Sequence, residues 1–229
     1  ASKATGMQIQ VERIDLRFPL NLLVRGVEVI QQPDTLLSLE SLNVRVQAWP
    51  LLKGKVEVDE VTLSQVAVNS ANLIEGMQIK GVLGRFFLQS HGVDLSNETA
   101  VVNRTELSDT HIQLLMTDTT TTPKDTTASA PVNWKVNLHQ LKLKNVSFGM
   151  KLPADSMKMA AYIGEATIDD AKADLKNQFY GLKQFLLSGA SASYDTGEAQ
   201  PSEGFDASHM AVRNIRIGLD SLLYEGRNM

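Results

Sequence analysis

Four segments of this chain share one spacing of apolar residues: an alternating pair, two polar residues, then a second alternating pair. The spacing runs through Ile9, Val11, Ile14 and Leu16; through Leu37, Leu39, Leu42 and Val44; through Val56, Val58, Val61 and Leu63; and through Val136, Leu138, Leu141 and Leu143. Alternation puts one parity of side chains on one side of a strand. One inserted residue, a bulge, returns the second pair to the same side as the first. The pattern therefore predicts long bent strands that keep a single apolar face.

At 43% hydrophobic residues, four matching positions arise easily by chance. Requiring polar or Gly residues at the four intervening positions lowers the expectation to about one or two matches in the chain. Leu141, Leu143, Val146, Phe148 and Ala166, Ile168, Ala171, Ala173 add two more copies, and Leu22 to Val29 and Met210 to Ile217 give looser echoes. Val56, Val58, Val61, Leu63, Val66, Val68 and Val136, Leu138, Leu141, Leu143, Val146, Phe148 superpose at a constant offset of 80 (136 − 56). That offset predicts an internal repeat whose copies contribute to one continuous buried face.

The length of 229 residues suits one large β domain or two small ones with a sizeable core. A net charge of −4 with no run of Lys or Arg excludes a basic stripe, so nucleic acid is not an expected partner. The absence of cysteine excludes thiol nucleophiles, disulfides and thiolate metal sites, and leaves the compartment open. No stretch approaches the roughly 18 to 20 apolar residues of a membrane span. Residues 1–6 are short and weakly polar and read as a truncation point rather than a leader.

Strands and short turns are expected from residue 7 to about 70, with turns at Pro33-Asp34 and around Gly54. Gly76, Gly81, Gly84 and Gly92 interrupt the next apolar stretch in a way that fits bulged strands better than a helix. Residues 117–131, TDTTTTPKDTTASAP, have almost no apolar content and read as a flexible loop dividing 1–116 from 132–229. Between 170 and 187 two patterns compete. Ala171, Leu175, Phe179, Leu182 and Leu186 fit a helical face, which would make a minor helix near 171–187. Tyr180, Leu182, Phe185 and Leu187 fit the bulged strand, which is preferred because Gly181 and Gly189 weaken a helix.

Residues that could carry chemistry are sparse. His91, His111, His139 and His209 are far apart, and none has a neighbour at metal-ligand spacing, so they read as surface or strand histidines. Asp59-Glu60 and Asp169-Asp170 are adjacent carboxylates, and strict alternation sends neighbours to opposite faces, which excludes a catalytic pair. No nucleophile elbow, Walker loop or dinucleotide fingerprint is present. The chain reads as a non-enzyme without a cofactor or metal. Asn-x-Ser/Thr triplets at Asn97, Asn103 and Asn145 would matter only in a eukaryotic secreted protein, and Trp49 and Trp134 read as packing at sheet ends.

The segment LRFPLNLLVRGVEVIQQPDTLLSLESLNVRVQAWPLLKGKVEVDEVTLSQVAVNSANL resembles the start of the periplasmic part of TamB-like proteins, the translocation and assembly module family of the AsmA superfamily. The order that carries the resemblance is a strand ending in Phe18-Pro19, a strand with Val27 and Val29, a turn into Asp34-Thr35-Leu36-Leu37, then Pro50-Leu51-Leu52 and a Lys53-Gly54-Lys55 turn into the Val56 to Val68 strand. NWKVNLHQLKLKNVSFGM is similar to one of the family's repeated strands, and FDASHMAVRNIRIGLDSLLYEGRNM to segments of the Bacteroidetes versions.

The resemblance implies an all-β, folded-over antiparallel sheet of bulged strands, an elongated groove like that of bridge-like lipid transfer proteins. It implies an inner-membrane anchor before this segment, further β repeats after it and a location in the periplasm. The implied clients are phospholipid or outer-membrane proteins, with an outer-membrane assembly partner of the Omp85 type. The groove residues would be Val56, Val58, Val61, Leu63, Val66, Val68, Val136, Leu138, Leu141, Leu143, Val146 and Phe148. From the pattern alone, the same apolar face makes either an exposed trough or the closed core of a structural surface or adhesion protein.

Overall fold

The computed structural model describes residues 7–18, 20–52, 58–71, 73–74, 76–94, 97–116, 133–153, 156–198, 203–204 and 206–225. Val56 and residues 117–131 lie outside the described residues, and with them the expected loop. In chain order the elements are β1 (Gln8–Arg17), β2 (Asn21–Gln31), β3 (Asp34–Val46), α1 (Ala48–Leu52), β4 (Val58–Asn69), β5 (Met77–Asp94) and β6 (Thr99–Met116). There follow β7 (Lys135–Leu152), β8 (Met157–Asp174), β9 (Phe179–Leu182), β10 (Gln184–Asp195), β11 (His209–Leu219) and β12 (Leu222–Glu225).

All twelve strands belong to one open, all-β sheet in the order β1-β2-β3-β4-β5-β6-β7-β8-β10-β11. β9 pairs with the end of β8 and β12 with β9. Only Lys183 separates β9 from β10, so the two are one bent strand along β8, accompanied on its other side by β11 and β12. The step from Leu182 to Phe185 across this break is the bulged spacing. Residues 171–174 and, apart from Lys183, 179–187 are thus strand, joined by a turn at 175–178, and the helical alternative is not observed. The helix α1 lies elsewhere, with Pro50 in its first turn, where the missing N–H costs no hydrogen bond.

The sheet departs from the antiparallel expectation at one seam. β6 and β7 run parallel, from Thr99 opposite Lys135 to Leu115 opposite Lys151, which joins the strands before residue 117 to those after 131.

The inserted residue of the repeated spacing is visible in the backbone. Gly26 on β2, Gln65 on β4, Asp109 on β6, Asn145 on β7, Gly189 on β10 and Asn214 on β11 all have positive φ, and each sits between the two apolar pairs of its strand. Gln65 (φ 49°) and Asn145 (φ 54°) are themselves 80 apart (145 − 65), so the internal repeat extends to backbone conformation. Because each inserted residue stands opposite that of the neighbouring strand, the ladders of β1 to β8 do not shift register at these positions. Arg25 lies opposite Ser41, Ser41 opposite Ser64, Ser64 opposite Arg85, Arg85 opposite Ser108, and Ser108 opposite Lys144. Because a bulge bends its strand, aligned bulges crease the sheet along a line that crosses it. A bulge also brings backbones close: a Cβ at Gly84 would stand 2.7 Å from the Asp109 Cβ and 3.0 Å from its carbonyl oxygen.

Candidate functional site

Opposed residues of a ladder present their side chains on the same face, so the pairings define rows that cross the sheet. Leu16, Leu22, Val44, Val61, Leu88, Thr105, Leu141, Ile168, Phe185 and Leu219 form one row through all ten strands of the main path. Ile14, Val24, Leu42, Leu63, Phe86, Leu107, Leu143, Ala166, Leu187 and Ile217 form the next. Beyond the crease, Val66 and Val146 share a row through Leu83 and Thr110, and Val68 and Phe148 share one through Gly81 and Ile112. The two halves of the internal repeat therefore meet four rows in common. Val136 and Leu138 continue this face at the far end of β7, opposite Ala173 and Ala171 of β8.

Burial on this face is patchy: Ala100, in the Val136 row far from the crease, is 8% exposed, and Ile14, on the edge strand beside it, is 63% exposed. Thr110, Ala166 and Ala190 are each 4% exposed, whereas Phe148 is 40% and Val212 54% exposed. The apolar side is therefore open to solvent over much of its area. Among the described residues no large side chain is fully buried, and the buried apolar set is Leu36, Ala100, Ala166 and Ala190. Leu63, Leu141 and Leu143 are only half-buried. No second layer covers the rows, so the described strands do not make a closed core.

Two concavities are present. A hollow of about 270 Å³ on the apolar side, between β7, β8, β9 and β12, is lined by Val136, Leu138, Ala171, Tyr180, Leu182 and Leu222, among others. A larger one, about 1170 Å³, crosses β5 to β11. It takes Gln78 and Lys80 from β5 and His111 and Gln113 from β6, whose parity is opposite to that of Ile79 and Ile112, so it opens on the reverse side. Phe148 is the one expected groove residue bordering it. The reverse side otherwise behaves as a solvated face: its one strand phenylalanine between β4 and β6, Phe87, is flanked by the guanidinium groups of Arg85 and Arg104 at 5.8 and 6.0 Å.

The titratable groups form local pairs. Arg45 reaches both Glu60 (2.8 Å) and Asp59 (3.7 Å), and Gln47 donates to Asp59 at 2.8 Å. Adjacent carboxylates here share a side, contrary to the expectation from alternation, because a register shift at Arg45/Val46 breaks the alternation where they stand. Gln140 donates to Asp169, and His139 Nδ1 lies 3.1 Å from Asp170, whose φ of 50° marks a further bulge. The His139 contact, with Lys183 nearby, lowers the Asp170 carboxyl below its ordinary range. His209 sits 3.0 Å from Asp206 and 3.3 Å from Asp195, and His111 lies against Ser147 and Gln113. Among the described residues no group of three or more His, Asp or Glu side chains is placed to hold a metal ion. Trp134 is half-buried, with its carbonyl accepting from Leu175 N–H at 3.0 Å. Trp49, on α1, is 77% exposed, so it does not pack against the sheet end as expected.

Much of the apolar face lies on strands whose spacing is disguised in the sequence. Gly81, Leu83, Phe86, Leu88 on β5 and Thr105, Leu107, Thr110, Ile112 on β6 carry the same spacing, with Gly or Thr in apolar places. Phe185, Leu187, Ala190, Ala192 on β10 carry it with alanines. Accepting Gly, Thr and Ala at those positions finds β6, whereas Val82, Phe87 and Leu186 at intervening positions still hide β5 and β10.

No protein-family model matches the chain, and no curated protein shows significant similarity to it.

Proposed function

We propose that this chain is a non-enzymatic module of the cell envelope whose apolar face shields phospholipid acyl chains, or the strands of outer-membrane protein clients, between inner and outer membranes. The observation that carries this reading is the set of apolar rows crossing ten strands with no layer over them. A large uncovered apolar surface rimmed by polar residues is what a binding surface for apolar ligands requires. Size also suits lipid. At about 3.3 Å per residue the eighteen-residue strands span roughly 59 Å, about twice the roughly 30 Å hydrocarbon thickness of a bilayer.

The resemblance to TamB-like proteins supplies the setting: periplasmic, held by an inner-membrane anchor outside this segment, and working with an Omp85-type outer-membrane partner. The test is gentle purification followed by native mass spectrometry and organic extraction. Bound phospholipid is expected in stoichiometric amount. Absence of any bound lipid or detergent from folded protein would sink the proposal and favour a structural envelope or adhesion role.

A further inference from the structure

A role for the apolar rows leaves the larger concavity, on the reverse side, without a task, and we propose that it is a second binding site, for an acidic polysaccharide. The hollow, about 1170 Å³, crosses six strands of the ladder from β5 to β11. At a strand spacing of about 4.8 Å that is a path of about 24 Å. Its floor is a row of short side chains, Gly149, Ala160, Ser193 and Ala211, paired in turn across β7, β8, β10 and β11. A Cβ at Gly149 would meet only the Gln113 side chain, at 3.9 Å, so the floor is open.

Four cations stand around this floor: Lys80 on β5, Lys151 on β7, Lys158 on β8 and Arg213 on β11. Among the described residues none of the four has an ion-pair or hydrogen-bond partner for its side chain. Lys151 and Lys158 lie directly opposite each other, a placement that costs stability in a bare ladder. Among the described residues the one carboxylate lining the hollow is Asp195. It stands opposite Lys158, but its Oδ1 is taken by His209 Nε2 at 3.3 Å and by the Gly197 N–H at 2.8 Å. In a chain of net charge −4 the hollow is thus a local positive field that the protein itself does not neutralise, and an anionic ligand would do so.

The spacing of the cations selects the kind of anion. Four over about 24 Å is one per about 6 Å, whereas a nucleic-acid strand carries one charge per about 3.4 Å, too dense for this site to match. Between the cations stand Ser191, Ser193 and Tyr162, whose hydroxyls can bond neutral hydroxyl groups. Tyr162, 39% exposed, adds a ring with an apolar face and a polar tip, a surface that suits a sugar ring. A long ligand with sparse charge and many hydroxyls is an acidic polysaccharide.

Isothermal titration calorimetry on the full 229-residue chain tests this, with hexagalacturonate as the probe and maltohexaose as its uncharged counterpart. Hexagalacturonate should bind, with an affinity that falls as salt rises, and maltohexaose should bind about tenfold more weakly or less. Lys151→Gln/Lys158→Gln should weaken hexagalacturonate about tenfold, since two exposed charge pairs with the ligand are lost. Its Tm should match or exceed that of wild type, because a repulsive pair has been removed. Lys144→Gln, on the same face but outside the hollow, should bind as wild type. Absence of hexagalacturonate binding overturns the proposal, as does equal binding of maltohexaose or indifference to the double variant. Tighter binding of inorganic polyphosphate or single-stranded DNA than of hexagalacturonate overturns it as well, in favour of a phosphate polymer.

Discussion

Placing a charge on the apolar face at Leu63, or at Leu141, separates an open trough from a core by magnitude alone. Fully burying a leucine contributes about 1.5 to 3 kcal/mol. Leu63 is half-buried, between Leu42 and Phe86, so Leu63→Asp forfeits about 1 to 1.5 kcal/mol of it. The new carboxylate reaches water on the uncovered side, and its partial desolvation adds about 1 kcal/mol. The sum, about 2 to 2.5 kcal/mol, is well within the about 5 to 15 kcal/mol that holds a typical domain together. For a chain of this size it lowers Tm by about 5 to 10 °C. In a sealed core the same change would cost about 2 to 5 kcal/mol for the lost side chain and several more for an unpaired buried charge, enough to unfold the protein. The assay is Tm by circular dichroism together with binding of a pyrene-labelled phospholipid, for Leu63→Asp, Leu141→Asp and the reverse-face control Lys144→Asp. Both leucine variants should stay folded and bind the probe at least tenfold more weakly, while the control binds as wild type. Undiminished binding in folded Leu63→Asp, or collapse of both leucine variants, refutes the reasoning.

The bulges and turns give further expectations. Gln65→Gly removes a left-handed conformation that costs a side-chain-bearing residue about 1 kcal/mol and should raise stability by about that much in chemical denaturation. Asn145→Gly gains less, because Asn tolerates the left-handed region, and loses the 2.7 Å bond that Asn145 donates to Asp109, so it should destabilise by up to about 1 kcal/mol. Gly84→Ala drives a methyl into the Asp109 and Ser108 carbonyl oxygens at 3.0 and 3.1 Å and should destabilise by about 1 to 3 kcal/mol, read as earlier melting with faster amide exchange on β5 and β6. Asp174 accepts the Asn177 N–H at 3.0 Å, which holds its carboxyl below the ordinary aspartate range. A carboxyl lowered in this way stabilises the fold above its unfolded value, and the contribution is lost as pH falls through the folded one. A carbon-detected NMR titration should find that lowered midpoint in wild type, and Asn177→Pro, which removes the donor, should return it toward normal.

The all-β character and the bent single face were legible because strand alternation and its one-residue correction leave a direct trace in residue spacing. Leu63 and Val66 straddle Gln65 in sequence, and Gln65 adopts a positive φ, whereas Leu39 and Leu42 on β3 make the same step without one. The partners of β4 and β7 across the sheet were hidden where small or polar residues occupy row positions, as at Thr105, Thr110 and Ala190, since a crease tolerates or needs small side chains that hydrophobicity does not flag. The parallel seam was illegible: opposite Leu143, Leu107 serves a parallel pairing as well as it would an antiparallel one. Adjacent carboxylates such as Asp59 and Glu60 were misplaced because alternation was applied across a register shift. The reverse-side concavity left no sequence signal, since curvature belongs to the assembled sheet and to no single strand.

The parallel seam between β6 and β7 also shapes how the molecule comes apart. On either side of it the chain is a meander in which each strand packs on those beside it, and the extensive contacts are between ladder neighbours. Without a shared core to couple distant strands, cooperativity passes only from neighbour to neighbour, as along a row of repeats. Opening should therefore begin at the β1 and β11 edges and advance inward, giving amide protection that rises strand by strand toward the seam. The first half can form from contacts close in sequence, and so can the second. Joining them across Asp109 and Asn145 needs a parallel pairing in which every opposed pair is 36 residues apart (135 − 99), with no tight turn to start it, so it is slow to find. The molecule then behaves as a ribbon of two lengths spliced side by side, able to lose an edge strand while the rest remains in place.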